Sequence, residues 1–587
     1  MPESRASVSI LKILQRLRPA EETLFLVLSV FAGALSGLAV VGYHSFLEWI
    51  FSLTVSRYLD RRYDWHLIVF PVVGSIIAGL ILARVRNARG SGLNQVKVAL
   101  IAHDGYVSLK GTIGKFFTSA IGIGMGLPLG PEDPALHIGG GIASSVGRLL
   151  SFPKKRLQQF VTVGAAAGLA GAFNTPITAV IFTLEEVVGD INAPVLGSTI
   201  IATVTAVILR RAVLGSGPLF HVPQYQFAGI SELGFYAVLG VVGGLVSAAF
   251  SSAVTSLRAS VGKFRRGKWF DTVAFGGALV AGLAIFIAPK AAGVGYHWVD
   301  DVLNGRMLLS AVLLVLVAKM VGTGVAFATG NSGGMFAPVL FIGAMLGAAV
   351  GGVGHLLLPN QVPNVPAFAL VGMGVTFAGI IRAPMTSVFM IFEVTQDYQI
   401  MLPVMLANTI AFVVARTFRH ESMFEVLAAQ DGVFLPGSSD RQLQDLTVQR
   451  AVRQPLGVFP GEMIVDEAVG SALLDSVRAV MVLDRGRLVG AVTKSLLSKC
   501  QAEGRGAAAL REISAPTAGY RVFPDQPLSL ALARLGAGAF VLPVVSRVDV
   551  QQLLGVVTSE DVLKAYGLAQ TRELRQKQVA PEARETQ

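Results

Sequence analysis

The stretch "VGAAAGLAGAFNTPITAVIFTLEE" runs over residues 163–186, and "VGMGVTFAGIIRAPMTSVFMIFEV" runs over residues 371–394. At a constant offset of 208 residues they share Val, Gly, Ala, Gly, Pro, Thr, Val and Glu. The offset pairs Pro176 with Pro384 and Glu185 with Glu393. Coincidence between two Gly/Ala-rich helices does not register a Pro, a Thr and a Glu together. Upstream of the copies, Pro134-x-x-x-Ile138-Gly139 matches Pro338-x-x-x-Ile342-Gly343, each after a Gly-rich approach. The chain therefore holds two related halves. Apolar segments near these copies are short: residues 367–381 are about fifteen long and 383–394 about a dozen, where a straight membrane span needs about 20. Short, Gly/Pro-interrupted segments at corresponding places in two halves predict helices that stop partway across a membrane. Such breaks are tolerated where they line a cavity or a midplane site.

Composition supports this class. Of 587 residues, 53% are hydrophobic and 14% charged, against about 25% charged in soluble domains. Mean hydropathy is +0.62. The segment 23–55 is long enough for a strongly tilted span and too long for the apolar core of a cleavable signal peptide. The 65 glycines allow close helix packing. A single cysteine, Cys500, excludes a disulfide framework. The net charge of +11 reads as loop bias rather than nucleic-acid affinity. The clusters "RVRNAR" (84–89), "PKKR" (153–156) and "KFRRGK" (263–268) lie between apolar segments, as expected of cytoplasmic loops. The basic N-terminus, with Arg5, Lys12, Arg16 and Arg18, points to the same side.

Within the apolar region stands "LPLGPEDPALHIGGG" (127–141), where Glu132 and Asp133 lie between two prolines. A carboxylate at bilayer depth costs a few kcal/mol and marks function more often than packing. Gly before a helix start with Pro in the first turn is helix N-terminus chemistry. "GPEDP" (130–134) and "GMFAP" (334–338) both fit, and "GSGLN" (90–94) is a third candidate start. Free N–H groups and partial positive charge at such ends form an anion site, each dipole contributing up to about 2 kcal/mol. Glu132 would compete there with a small anion, holding the site when charged and releasing it when protonated.

These motifs together resemble the CLC chloride channel and transporter family over roughly residues 20–425. The family's consensus signatures are G-S-G-I-P, G-[K/R]-E-G-P and G-x-F-x-P. They stand here, in order, as "GSGLN", "GPEDP" and "GMFAP" within "GNSGGMFAPVLFIG". The resemblance implies an all-α polytopic membrane fold with two inverted-topology repeats and broken helices. It implies a homodimer with one pore per subunit. Ser91 and Gly92, the N–H groups of Met335 and Phe336, and Phe424 would surround chloride. Glu132 falls on the gating glutamate and Glu186 on the inner glutamate that takes protons from the cytoplasm in antiporters. Pro131 replaces the basic residue before the gate, Asp133 the glycine after it, Asn94 a proline, and Phe424 a pore tyrosine. Losing a cation and gaining an acid should weaken local anion binding. A passive channel of the same fold is the main alternative.

Each residue also has a structural reading. Glu132 and Ser91 could simply cap helices. Asp133 reads as local and structural. Glu186 could be an interfacial charge, although its neighbour Glu185, not Glu186, has the repeat partner. Lys115 and Lys319 read as buried cations balancing acids, outside the anion path.

Beyond about residue 426 the chain becomes polar, in "AAQDGVFLPGSSDRQLQD". Two similar units follow, "AVMVLDRGRLVGAVTKSLL" (479–497) and "FVLPVVSRVDVQQLLGVVTSEDVLKAY" (540–566), each reading as strand, turn, strand, helix. They resemble a cytoplasmic α/β tandem pair of CBS domains, which often bind adenine nucleotides such as ATP, ADP or AMP. Thr558 and Asp561 fit the G-h-x-T-x-x-D contacts of that family. The first unit keeps Thr493 but has Leu496 in place of the acid. A pure dimerisation element is the other reading.

The expected organisation is a cytoplasmic segment 1–22, a transport domain 23–425, a linker 426–445, a tandem CBS pair 446–568 and a charged, disordered tail 569–587. Both termini would be cytoplasmic in a multi-pass protein of the cell membrane. The expected partners are chloride, protons, membrane lipid and a second copy, with no nucleic acid, no metal and no enzymatic activity. An intramembrane serine protease is a distant rival: "GNSG" (330–333) matches a G-x-S-G motif, but only His355 and His420 follow it. A transport-dead sensor acting through the CBS pair is weaker still.

Overall fold

The structure is a computed structural model that describes residues 21–85, 88–189, 195–217, 219–220, 222, 230–262, 272–360, 362, 364–395, 398–430, 446–455, 457–471, 479–515, 520–536, 539 and 541–565. The basic N-terminal segment to residue 20, the "KFRRGK" cluster, most of the expected linker and the charged tail lie outside the described residues. The chain divides into two units, residues 1–435 and 436–587.

The first half of the first unit runs α1 (Glu21–Leu53), α2 (His66–Arg84), α3 (Gly92–Ala102), α4 (Leu109–Gly124), α5 (Glu132–Leu149), α6 (Lys154–Phe173), α7 (Pro176–Phe182) and α8 (Leu196–Leu214). The second half repeats it as α9 (Ile230–Gly262), α10 (Thr272–Ile287), α11 (Tyr296–Leu303), α12 (Leu309–Ala328), α13 (Phe336–Leu357), α14 (Val365–Ile380), α15 (Pro384–Thr395) and α16 (Met401–Phe418). A last helix, α17 (Met423–Gln430), packs its Met423, Phe424 and Leu427 into the common core. Equivalent pairs pack alike: α1 on α8 as α9 on α16, α5 on α6 as α13 on α14. Seven helices among the described residues are long and apolar enough to cross a membrane. Others are short, as the sequence predicted: α7 has 7 residues, α11 has 8, α3 has 11 and α15 has 12.

Local chemistry sets these breaks. Pro176 and Pro384 open α7 and α15, where a missing N–H costs nothing. The preceding helices end on left-handed residues 208 positions apart, Asn174 (φ 60°) and Arg382 (φ 71°). The Arg382 guanidinium donates to the carbonyls of Ala415 and Arg419 at 2.9 and 2.7 Å, which holds a conformation rarely adopted by a side-chain-bearing residue. Gly139 lies against the Gly164 carbonyl and the Gly168 backbone, and the equivalent Gly343 lies against the Gly372 carbonyl. A side chain at either crossing would separate the helices.

Reciprocal contacts mark a two-fold relation between the halves, since each residue meets the counterpart of its own partner. Gly130 N–H donates to Gly334 at 2.8 Å and Gly334 N–H donates back at 2.7 Å. The Glu393 carboxylate accepts from Ile177 N–H, Thr178 N–H and Thr178 Oγ1 at 3.1, 2.8 and 2.7 Å. Glu185 accepts from Met385 N–H, Thr386 N–H and Thr386 Oγ1 at 3.2, 2.8 and 2.6 Å. Each repeated glutamate thus caps the short helix of the opposite half.

The second unit contains a sheet in the order β1 (Val458–Pro460), β2 (Ala479–Asp484), β3 (Arg487–Thr493), with β1 parallel and β3 antiparallel to β2. A second hairpin pairs β4 (Leu542–Val545) with β5 (Leu553–Val557). Each hairpin leads into a helix, α18 (Lys494–Ala502) after β3 and α19 (Ser559–Ala565) after β5, as the sequence predicted. Leu446, Val448 and Ala451 pack with Val544 and Val557 of the second hairpin rather than with the first. Met481, Leu488, Val545 and Val556 join the two sheets in one apolar layer.

Candidate functional site

The starts of α3, α5, α11 and α13 converge around the pair Glu132–Asp133. Glu132 is the first residue of α5 and is fully buried. Its carboxylate reaches beyond its own helix. Oε2 accepts from Ala337 N–H at 3.2 Å, at the start of α13 in the other half, and Oε1 accepts from the Tyr296 hydroxyl at the start of α11. Gly130 makes the space, since a Cβ there would lie 2.6 Å from Glu132 Oε2. A buried carboxylate is tolerated only with such donors, and the α13 start supplies them together with its dipole.

Asp133 turns the other way, so the local role expected of it does not describe it. Its Oδ1 accepts from Leu93 N–H at 2.5 Å and from Ser91 Oγ at 3.3 Å, at the start of α3 some 40 residues away in sequence. Ser91 is the N-cap of α3, and its hydroxyl also accepts from Asn94 N–H at 3.4 Å. A Cβ on Gly92 would collide with the Asp133 carbonyl oxygen, so there is no room for a side chain. Asn94, standing where the resemblance has proline, donates Nδ2 to the Phe424 carbonyl at 3.1 Å and ties α3 to α17.

Met335 and Phe336 are buried at the N-cap and first position of α13. The Phe336 ring lies 6.2 Å from the Phe424 ring and 5.0 Å from Phe182. Phe424 thus joins an aromatic cluster around the α13 start. A cavity of about 900 Å³ opens onto Gly90, Ser91 and Asn94 and carries Arg89 and Arg258 in its lining. Cations lining a cavity concentrate anions there.

Glu186 lies in a π-helical turn, Thr183–Val188, after α7. Its carboxylate forms an ion pair with Lys97, both side chains nearly buried. Lys97 is six residues along α3 from Ser91, a rise of about 9 Å. One helix therefore carries the Asp133 contact at its start and the Glu186 contact further on.

The two buried lysines obey the repeat. Lys115 donates to the Gly90 carbonyl at 2.5 Å, and Lys319, 204 positions on, donates to the Gly293 carbonyl at 2.6 Å. Each braces the Gly-rich turn before a short helix, "GSGL" for α3 and "GVGY" for α11. Ser332 of "GNSG" shares a hydrogen bond with Thr118 at 2.9 Å, and His355 bonds the Val362 carbonyl at 2.8 Å. Neither forms part of a serine–histidine pair.

In the second unit Thr558 and Asp561 form a capping box at the start of α19. Thr558 N–H and Oγ1 donate to Asp561 Oδ2 at 2.9 and 2.6 Å, and Arg453 pairs with the same oxygen at 2.9 Å. Thr493 caps α18 through Leu496 N–H at 3.2 Å.

Sequence reading missed Tyr296, Ala337 and Lys97. Tyr296 had a faint signal, because "GVGY" (293–296) copies "GSGL" (90–93) at an offset of 203. Ala337 follows the named pair Met335–Phe336 by one residue. Lys97 had none, being 89 residues from its partner.

Comparison with known proteins follows the same lines. The sequence signature of the family described as voltage gated chloride channel matches residues 74–416. A chloride channel protein named ClcB-like from Ralstonia nicotianae is 31% identical over 383 residues, which cover 64% of this chain and 89% of that one. The H(+)/Cl(-) exchange transporter ClcA of Salmonella paratyphi A is 28% identical over 435 residues, 72% of this chain and 91% of that one. Among solved structures, a slow cyanobacterial Cl-/H+ antiporter aligns with a TM-score of 0.63 at 22% identity, over 69% of this chain and 97% of that one. A eukaryotic CLC transporter aligns with a TM-score of 0.62 at 20% identity, over 92% of this chain and 98% of that one.

Proposed function

This chain belongs to the voltage-gated chloride channel family, and from that premise we propose that it exchanges chloride for protons across the cell membrane. Glu132 is the gate: charged, it takes the donors at the α13 start, and protonated, it yields them to chloride. Ser91, Gly92, Met335, Phe336 and Phe424 surround the anion. Glu186 relays protons between the cytoplasm and the gate. The observation that carries this reading is the Glu132 carboxylate on Ala337 N–H. A buried helix start that accepts one anion offers the same donors to another. The exchange transporter and antiporter among the similar proteins support the coupled form.

The wider organisation follows from the same reading. Residues 23–425 are the transport domain, 1–22 and 426–445 its cytoplasmic flanks, and both termini are cytoplasmic. Residues 446–568 are a tandem CBS pair with an adenine-nucleotide site at Thr558 and Asp561. The alignment with the eukaryotic transporter extends over more of the chain than the first unit contains, which supports that assignment. The chain is a homodimer in lipid. Exposed apolar residues on α8 (Ile200, Val204, Ile208) and α16 (Met405, Val413) suit lipid or a second copy.

The test is proton movement in liposomes holding the purified protein, with an outward chloride gradient and a clamped voltage. An exchanger takes up protons against their gradient, and Glu186→Gln stops this while chloride still moves. One observation favours the passive channel: Lys97 holds the Glu186 carboxylate in an ion pair, a contact that a proton carrier must break and remake in each cycle. Chloride flux without uphill protons selects that reading.

A further inference from the structure

Glu132 and Asp133 are adjacent, yet their carboxylates lie at helix starts in opposite halves of the molecule. Glu132 sits at the α13 start, and Asp133 at the α3 start on Leu93 N–H and Ser91 Oγ. The chloride ligands proposed above fall on two helix starts, Met335 and Phe336 on α13 and Ser91 and Gly92 on α3, and each start has donors of its own to seat an anion. Each seat already carries a carboxylate of the chain. We propose that Asp133 is a second tethered carboxylate that competes with chloride for the Ser91 seat, so that the path holds two occupants of its own in series. The inference rests on the reading of Ser91 and Gly92 as chloride ligands.

Three observations separate this from a simple helix cap. Glu393 caps α7, whose own N-cap residue Thr175 makes no side-chain capping hydrogen bond, whereas α3 already has a cap of its own in Ser91. Asp133 adds a full negative charge from another helix and takes the Ser91 hydroxyl that an anion would use. Its second oxygen, Oδ2, is buried and makes no hydrogen bond among the described residues. A buried carboxylate oxygen left without a partner is unusual for a purely structural charge. The cavity that reaches Ser91 gives anions access to this end of α3. Lys115, bonded to the turn before α3, interacts electrostatically with Asp133 and would do the same with chloride in its place.

Self-competition lowers the apparent affinity of the seat in proportion to the time it is closed. A seat open one tenth of the time binds about tenfold more weakly than a free one. The second carboxylate would therefore select for high chloride concentration and would limit how often both seats fill together.

The experiment is calorimetric titration of chloride into the purified full-length protein and its variants. Asp133→Gly empties the seat, and Asp133→Asn removes the charge while keeping an oxygen for Leu93 N–H, so it preserves folding. Both variants should bind chloride at least about tenfold more tightly than the parent. Glu132→Gln with Asp133→Gly should bind two chlorides per chain where Glu132→Gln alone binds one. Unchanged affinity in both Asp133 variants, with Glu132→Gln still tightening binding, overturns the inference and leaves Asp133 a cap. Absence of chloride binding in every variant overturns the inference together with the proposed function.

Discussion

Glu185 and Glu132 both place a carboxylate on a helix start of the opposite half, and they differ in how firmly they are held. Glu185, like its repeat partner Glu393, accepts two backbone N–H groups and one threonine hydroxyl. Glu132 accepts one backbone N–H at 3.2 Å and one tyrosine hydroxyl. The first arrangement is reciprocal, so losing it would open both halves. The second has no counterpart, because Phe336 stands at the position 204 residues after Glu132. The same device therefore serves as a lock where the donors are many and paired. In the proposed exchanger it serves as a gate where they are few and where glycine leaves space around the acid.

The strongest way to break the comparison is to exchange the expected roles. Glu132→Gln should reduce chloride-driven proton flux by about 100-fold or more, in the range set by loss of a proton-transferring group, while the protein folds normally. Liposome proton flux and the melting temperature of the detergent-solubilised protein read the two effects separately. Glu393→Ala should do the reverse. It strands three donors at the α7 start and should destabilise by about 3 kcal/mol, seen as a lower melting temperature, with transport per folded molecule retained.

Smaller changes sharpen the contrast. Tyr296→Phe removes one of the two donors that seat Glu132, and a hydrogen bond to a charged group contributes about 1.5–3 kcal/mol. Chloride should then displace the gate about tenfold more readily, measured as a tighter chloride titration. Thr178→Val removes only the hydroxyl on Glu393 and should cost about 1 kcal/mol of stability with no effect on flux.

The lock was more legible in the sequence than the gate. Pro176 with Pro384 and Glu185 with Glu393 stand in one register, and that register is what the two-fold contacts require. The breaks between α6 and α7 and between α14 and α15 were likewise visible, because proline in a first turn leaves a plain mark. The proposed gate residue, Glu132, was found as a buried acid among Gly and Pro, but its partners were not. Ala337 and Tyr296 reach Glu132 only because the two halves interlock, which no local pattern records. Asp133 looked like part of the same turn as Glu132. Successive residues at a helix start diverge by about 100° of rotation, and this divergence sends their carboxylates to different halves. Lys97 likewise lies on the face of α3 that meets Glu186 only once α3 has packed on the turn after α7 within the first half.

The central claim is that the Glu132 carboxylate and chloride use the same donors at the α13 start. Anomalous diffraction from crystals of Glu132→Ala grown in bromide tests it most directly. The account predicts a bromide ion within about 3.3 Å of Ala337 N, a charge-assisted hydrogen-bond distance allowing for the larger halide, where the carboxylate lies in the parent. Crystals that hold bromide elsewhere but none at that helix start would contradict it.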